Sequence, residues 1–270
     1  MKLISLLENT TARPDIQTRH GLSLYLETKQ HKILFDFGPD DSFARNAELL
    51  GVDLSAVDLA VLSHGHDDHG GGLRTFLEIN HTAPVYIRSS AFAPHWSERG
   101  FIGLEPELNG HPQVYLTGTH TEIDSNLQLL SGITGRKFFA SSNKELYMSN
   151  PSGTRIPDDF SHEQSLIVQE EGRCVLIAGC AHCGIVNILE QAEAVTGRAM
   201  THVISGFHLC QPSKHTNEPA GTVRAIAAEL ALRPSRYFTC HCTGIPSYEI
   251  LHRETGGQVQ YLSGGSIVTL

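Results

Sequence analysis

Between His64 and His69 the chain sets three imidazoles and the carboxylate of Asp68 within six positions, in the run Ser63-His64-Gly65-His66-Asp67-Asp68-His69. Imidazole and carboxylate are the donor set of zinc and its first-row neighbours. If His64 and His66 share one ion, the offset pair Asp68 and His69 can turn toward a second, about 3.5–4 Å away as in two-metal sites generally. Three glycines, Gly70, Gly71 and Gly72, follow at once and permit close packing behind the loop. A merely solvated His/Asp-rich turn has no need of this spacing directly after an apolar run. Zinc lowers the pKa of its bound water to about 7, and a second ion can hold the leaving oxygen. The chemistry expected is therefore hydrolysis of an ester, thioester, amide or phosphoester. The cofactors expected are two divalent ions, zinc first, with manganese or iron as alternatives.

Such a loop needs rigid elements on either side. The apolar run 57–62 reads as a buried strand that stops at Ser63 and delivers its end to the loop. Residues 22–27 and 31–37 mix β-branched, aromatic and leucine side chains around a polar turn, as a hairpin does, so two strands are expected to open the fold. Helical spacing marks 41–50, with Asp40 or Asp41 as N-cap, and again 73–79. The stretch 84–155 is broken by Pro, Gly, Asn and Thr around short strand candidates at 85–88 and 127–130, with no linker long enough to divide the chain. From 164 onward the pattern is regular: strands 165–169 and 173–178, helix 184–195, strand 202–205, helix 217–232, strand 236–239. His182, His208 and His241 fall in the polar turns after strands, which is where open α/β folds place ligands. His208 is a candidate for binding substrate or for general acid chemistry. The expectation is one α/β domain over 1–270.

Composition narrows the function. With 270 residues, 40% of them apolar, the chain can bury a core of its own. Twenty basic against 29 acidic residues give a net charge of −9, which argues against nucleic acid and anionic membranes as partners and for a small-molecule substrate. Arg88, Arg136 and Lys137 are cations that a phosphate would suit, although nothing in the sequence places them at the loop. The six cysteines all lie from Cys174 to Cys242, unlike the framework of a small secreted domain. A structural site combining Cys180-Ala-His-Cys183 with Cys240-His-Cys242 is disfavoured by the tight second pair, and a redox role for Cys180-x-x-Cys183 would need an exposed thiol of low pKa. The opening apolar run is too short for a secretory signal and no later segment approaches a membrane span, so a cytoplasmic location is expected.

The run His64-Gly65-His66-Asp67-Asp68-His69 resembles the signature of the metallo-β-lactamase superfamily. The resemblance implies an α/β fold, an αβ/βα sandwich of two mixed β-sheets flanked by helices, with the metals at one edge. It also implies a further histidine, a bridging aspartate after a strand ending in Gly-Asp, and a closing histidine. His162 suits the first and His241 the last. Cys180 stands where the aspartate would be; a thiolate can bind zinc but changes metal preference, and His182, two residues on, is a competing ligand. The implied metal ligands are thus His64, His66, Asp68, His69, His162, Cys180, His182 and His241, with Asp68 and His208 as candidate catalytic residues. Glu8-Asn9 and Asp36 are placed to orient ligand imidazoles or, equally, to cap turns.

A longer resemblance takes in His20-Gly21-Leu22-Ser23, Leu34-Phe35-Asp36-Phe37-Gly38, Asn46-Ala47, the segment from Gly179 to Asn187, Gly206-Phe207-His208-Leu209 and His241-Cys242-Thr243-Gly244. Together these are similar to the branch of dihydropterin-methyl ribofuranosylaminobenzene-phosphate synthases and related metal-dependent hydrolases. It implies a hydrolase of a small phosphorylated or pterin-like metabolite that works through a metal-bound hydroxide, or a synthase-type transferase. A non-catalytic metal-binding sensor is the remaining class. His66, where iron redox members have an acidic residue, disfavours di-iron oxygen chemistry.

Overall fold

The computed structural model describes residues 1–270 apart from 151, 212, 213 and 215. The chain forms two compact units, one of Met1–Gly118, Leu146–His162 and Ser263–Leu270, the other of Thr119–Glu145 and Glu163–Leu262. Each carries a mixed sheet and helices, the α/β class expected, with seven strands per sheet among the described residues.

In the first unit the sheet runs Ile267–Thr269, Lys2–Leu7, Ser23–Glu27, Lys32–Phe35, Leu59–Val61, Val85–Arg88, Val114–Thr117. The first three pairings are antiparallel and the last three parallel. Lys2–Leu7 lies inside this sheet and is buried from Leu3 onward, so three strands, not two, precede the first helix. The run Lys2 to Leu7 lacks the alternation that marks a one-sided strand because both its faces are covered. Helices Ser42–Leu49 and Leu73–Ile79 bury Phe43 and Phe76 against Phe37, at ring centroid separations of 6.3 and 5.4 Å. Full burial of each such ring stabilises by about 1.5–3 kcal/mol. These contacts anchor the segment after Phe35, which carries Asp36. A small second sheet of Arg155–Pro157, Leu146–Ser149, His95–Ser97 and Gly100–Phe101 occupies the stretch whose sequence pattern was broken.

The second unit repeats the half-antiparallel, half-parallel scheme, in the order Val259–Tyr261, Arg236–Thr239, His202–Ser205, Arg173–Ile177, Gln164–Glu170, Leu127–Ser131, His120–Glu122. Its parallel members are the first four. Helix Ile185–Thr196 starts after Gly184 and stops at Gly197, whose φ of 65° is the left-handed conformation that ends helices. Helix Ala220–Ala231 begins three residues later than the pattern over 217–232 predicts. Pro219 sits at its N-cap and disfavours helical backbone at Glu218, while Thr216–Asn217 pairs instead with Cys210–Gln211. Its buried positions, Val223, Ile226, Ala227 and Leu230, keep the one-faced helical spacing. Helix Ile245–Glu254 was not anticipated. Among the described residues no helix is long and apolar enough to cross a membrane.

Candidate metal centre

In the first unit, parallel strands bring two chain segments to one sheet edge. Lys32–Phe35 ends at Asp36 and Leu59–Val61 leads into Ser63 and His64. Asp36, with φ of 61°, is fully buried and takes up a conformation that costs energy for a residue with a side chain. Its carboxylate accepts from the Ser63 backbone N–H at 2.7 Å, from the Ser63 hydroxyl at 2.8 Å and from His69 Nδ1 at 2.6 Å. Since the Ser63 hydroxyl donates to Asp36, it accepts from His64 Nδ1, 2.8 Å away. Hydrogen-bond logic therefore assigns the proton of both His64 and His69 to Nδ1 and leaves Nε2 of each with its lone pair outward, the tautomer a metal needs. One aspartate sets two imidazoles.

His66 is the N-cap of the short helix Asp67–Gly70, and this turn aims Asp68 back toward the histidines. Ligand atoms of His64, His66 and Asp68 lie within 4.8 Å of one another. Rings of His64 and His66 are 4.6 Å apart, those of His64 and His69 4.3 Å. Burial holds His66 below the usual histidine pKa despite Asp158 nearby, so the ring stays neutral, as a ligand must be. A set of buried, neutral imidazoles converging with a carboxylate fits a divalent first-row ion. His20 Nε2, half-exposed, reaches the Asp68 carboxylate at 3.4 Å; its place in a chain segment far from the loop hid it in the sequence.

Behind the loop lies a second buried network. His162 Nδ1 accepts from the Gly65 N–H at 2.9 Å, so its Nε2 carries the proton and donates to Asp158 Oδ2 at 3.2 Å. Both of its ring nitrogens have partners, so His162 ties the loop at Gly65 to Asp158, and the ligand atoms of His66, His95, Asp158 and His162, all buried, lie within 4.8 Å of one another. Asp158 also accepts from His95 Nδ1 at 2.9 Å, and His66 Nε2 stands 3.9 Å away. Burial works to raise the Asp158 carboxyl, but hydrogen bonding from His162, with His66 and His95 beside it, holds it well below the usual carboxylate range. His162 itself is pushed down to about 4 by burial. His95 Nε2 is buried without a hydrogen-bond partner among the described residues. Asp158→Ala strands three buried N–H donors, those of His95, His162 and the Phe160 backbone, and is expected to cost about 2–4 kcal/mol, with Asp158→Asn milder because one acceptor remains; urea denaturation of both variants checks the order.

Space is equally restrictive. A Cβ at Gly65 would lie 2.3 Å from the carbonyl oxygen of Ala91 and 2.9 Å from its Cα, and one at Gly71 2.2 Å from the Pro39 carbonyl oxygen. These obstacles are backbone, which yields little. Gly65→Ala is expected to destabilise by about 1–3 kcal/mol and to lower metal content; equal melting temperatures and metal content in variant and wild type would show that the loop tolerates displacement.

The second unit holds Cys180, His182, His208 and His241, each just beyond the carboxyl end of a parallel strand. Ala181, His208 and His241 all have left-handed backbone, with φ of 54°, 48° and 49°. Strain in all three loops, in residues other than glycine, is characteristic of functional positions. Glu163, fully buried and missed in the sequence, accepts from the backbone N–H groups of His182 at 2.7 Å and Cys183 at 3.0 Å. Asn143 donates to the His182 carbonyl and accepts from its Nδ1 at 3.0 Å, which again leaves Nε2 as the lone-pair nitrogen. Ligand atoms of Cys180, His208 and Cys242 lie within 4.8 Å of one another.

Other sequence-level candidates have structural partners. Arg88 donates to the carbonyls of Thr117 and Ser161, Arg136 to those of Ile133 and Gly135, and Lys137 pairs with Glu190 at 2.6 Å. Glu8 accepts from the Thr10 N–H and hydroxyl, and the Asn9 side chain from the Gly21 N–H. Of the three acidic or amide residues expected to orient imidazoles, Asp36 bonds directly to His69 and, through Ser63, to His64.

Comparison with known proteins supplies relatives. The sequence model described as the metallo-beta-lactamase superfamily matches residues 17–140. "Uncharacterized protein MJ0448" of Methanocaldococcus jannaschii is 28% identical over 214 residues, 77% of this chain and 79% of the relative. From the same organism, a protein named 7,8-dihydropterin-6-methyl-4-(beta-D-ribofuranosyl)-aminobenzene-5'-phosphate synthase is 25% identical over 269 residues, 93% of this chain and 90% of the relative. Among solved structures, Tm1679, described as a metal-dependent hydrolase of the beta-lactamase superfamily, superposes with a TM-score of 0.83 at 26% identity, covering 100% of this chain and 99% of that one.

Proposed function

Since the chain belongs to the metallo-beta-lactamase superfamily, we propose that it is a metal-dependent hydrolase of a small phosphorylated or pterin-like metabolite, held in solution in the cytoplasm without nucleic-acid or membrane partners. One observation carries the reading: Asp36, directly for His69 and through Ser63 for His64, sets both rings in the tautomer that offers Nε2, beside His66 and Asp68. His64, His66, Asp68 and His69 would hold the divalent ions, zinc first and manganese or iron as alternatives. When bound, such ions supply Lewis acidity and make a water acidic enough to ionise near neutral pH. The chain's own residues do the rest. Asp36 and Ser63 fix imidazole orientation, His162 and Gly65 fix the loop, and the Asp68 carboxylate, 3.4 Å from His20, is placed to accept and pass a proton.

Support for the substrate class comes from the relative named as a dihydropterin synthase and from the structural relative described as a hydrolase. The former also favours a second reading, a synthase-type transferase on the same phosphorylated class. Metal-loaded protein assayed against phosphomonoesters, phosphodiesters, thioesters and reduced pterins tests both. Hydrolysis of one class, reduced at least about 100-fold in Asp68→Asn, supports the hydrolase. Condensation of a pterin with a phosphorylated amine supports the transferase. A fully metallated protein that turns over none of them is a metal-binding sensor, and the catalytic reading falls.

A further inference from the structure

Of the three cations that a phosphate would suit, Arg136 differs from the others in how it is held. Lys137 is neutralised by Glu190 at 2.6 Å, and Arg88 is half-buried and donates to two carbonyls. Arg136 is exposed, and no carboxylate among the described residues pairs with it. In a chain of 29 acidic against 20 basic residues, an exposed arginine clear of every described acid is a departure. Its guanidinium is fixed all the same. Nη1 donates to the Ile133 carbonyl at 2.8 Å and to the Gly135 carbonyl at 2.7 Å, and the group lies over the Phe139 ring, 5.7 Å from its centroid. A guanidinium carries five N–H donors in a rigid plane, so anchoring through Nη1 leaves Nε and Nη2 to meet an acceptor from outside. The side-chain freedom that a mobile arginine gives up on binding is already spent.

The loop that carries Arg136 is built against the turn of His182. Asn187, in the first turn of helix Ile185–Thr196, clamps it: Oδ1 accepts from the Lys137 N–H at 3.1 Å, and Nδ2 donates to the carbonyls of Lys137 at 2.9 Å and Cys183 at 2.8 Å. A Cβ at Gly135 would lie 2.5 Å from that Oδ1, and one at Gly184 3.0 Å from the Lys137 carbonyl oxygen. Arg136 thus stands between two residues packed on the start of the helix, and Cys183, held by the same Asn187, is next to His182. Farther along, the Ser141 N–H and hydroxyl both donate to Glu218 at 2.6 Å, and the Asn143 side chain bonds the carbonyl and Nδ1 of His182. The segment is pinned at both ends around His182. Between the pins Phe138 takes a left-handed φ of 51°, an outlier for a bulky side chain. Such strain persists only where the surroundings impose it, and it concentrates at ligand-binding positions.

We propose that Arg136, backed by Phe139, binds the phosphate group of a small phosphomonoester beside the turn of His182. The N–H groups of Nε and Nη2 form a planar fork that matches two oxygens of a phosphate, which the point charge of a lysine does not. Phe139 is a positioning residue: its ring holds the guanidinium plane through a cation–π contact and touches no phosphate itself. The phosphate is a handle that selects and orients the ligand, separate from whichever bond is broken. The inference rests on the phosphorylated-ligand part of the proposed function and names the residue that reads that group. It asks nothing of turnover.

Titration calorimetry of the metal-loaded full chain with phenyl phosphate tests it. The expected result is binding that weakens about 10–100-fold in Arg136→Ala, with only part of the loss recovered in Arg136→Lys. Phe139→Ala is expected to weaken it about 2–5-fold. Arg224→Ala, which removes a surface arginine paired with Glu254, is expected to leave it unchanged. Equal affinity in wild type and Arg136→Ala, the result of a phosphate held by metal ions alone, overturns the proposal, as does a wild-type Kd above about 10 mM. If Arg136→Ala does not fold, the side-chain NMR signal of Arg136 in the wild-type protein decides: a shift on adding phenyl phosphate supports the site, and none refutes it. Arg136-dependent binding without hydrolysis of any ester keeps this site and removes the hydrolase. Hydrolysis of a phosphorylated substrate with unchanged KM in Arg136→Ala does the reverse.

Discussion

Replacement of Asp36 by alanine is expected to remove about 3–5 kcal/mol of stability and to weaken metal binding by about 10–100-fold. The carboxylate is fully buried and accepts three hydrogen bonds, from the Ser63 N–H, the Ser63 hydroxyl and His69 Nδ1. Its loss strands those donors in a place water does not reach, which sets the stability cost. The affinity cost has another origin. Without Asp36 the Ser63 hydroxyl is free to donate to His64 Nδ1, and the His64 proton shifts to Nε2, where it blocks the metal. Asp36→Asn separates the two effects, since it retains an acceptor for one donor and loses the charge that fixes the tautomers. Chemical denaturation measures the first effect and competition with a chelator the second. Unchanged metal affinity in a folded Asp36→Ala protein would contradict the role assigned to this residue.

Glu163 carries the second large effect, in the other unit. Burial raises its pKa, and the N–H groups of Cys183 and His182 act in the opposite direction. The carboxylate closes the turn that carries Cys180 and His182, so Glu163→Ala leaves two buried backbone donors unsatisfied, at about 2–5 kcal/mol. Glu163→Gln keeps one oxygen as acceptor and is expected to lose less than half as much. Hydrogen exchange at the His182 and Cys183 amides gives the local reading: fast exchange in the alanine variant, with strands of the same sheet still protected, places the damage in the turn. Unaltered protection of both amides would show that Glu163 does not hold them.

What was legible in the sequence, and what was not, follows from how far apart the partners lie along the chain. The His64–His69 loop is contiguous, and its residue types alone announce metal chemistry. Helix 42–49 showed its helical spacing, and the strand–turn–helix rhythm after 164 announced helix 185–196 and placed His182, His208 and His241 at strand ends. The groups that orient these residues are drawn from far away. Asp36 precedes His69 by 33 positions, and His162 follows Gly65 by 97. Nothing local marks His95, Asn143, Asp158 or Glu163, each of which is an ordinary polar residue until the fold buries it. Asp36 did carry a signal, a carboxylate directly after an apolar strand. His162 illustrates the limit best: its spacing marked it as a candidate ligand, but its contacts with the Gly65 N–H and Asp158, and its grouping with His66 and His95, needed the fold.

The early strand escaped for a related reason. Lys2–Leu7 lies between two neighbours and is covered on both faces, so its sequence shows a plain apolar run without period. The start of helix Ala220–Ala231 depended on Pro219, a local signal outweighed by the polar residues ahead of it. The small sheet around His95 and Leu146 is made of strands two to four residues long, below the length at which alternation can be read.

Metal analysis of the protein as purified, wild type beside His64→Ala and His66→Ala, bears most directly on the claim that the His64–His69 loop holds metal. The account predicts bound zinc or a neighbouring first-row ion in the wild-type protein, with at least one equivalent per chain lost in each variant while circular dichroism stays that of the folded chain. Wild-type protein that takes up no metal at this loop even after reconstitution, or variants that hold as much as wild type, would contradict it.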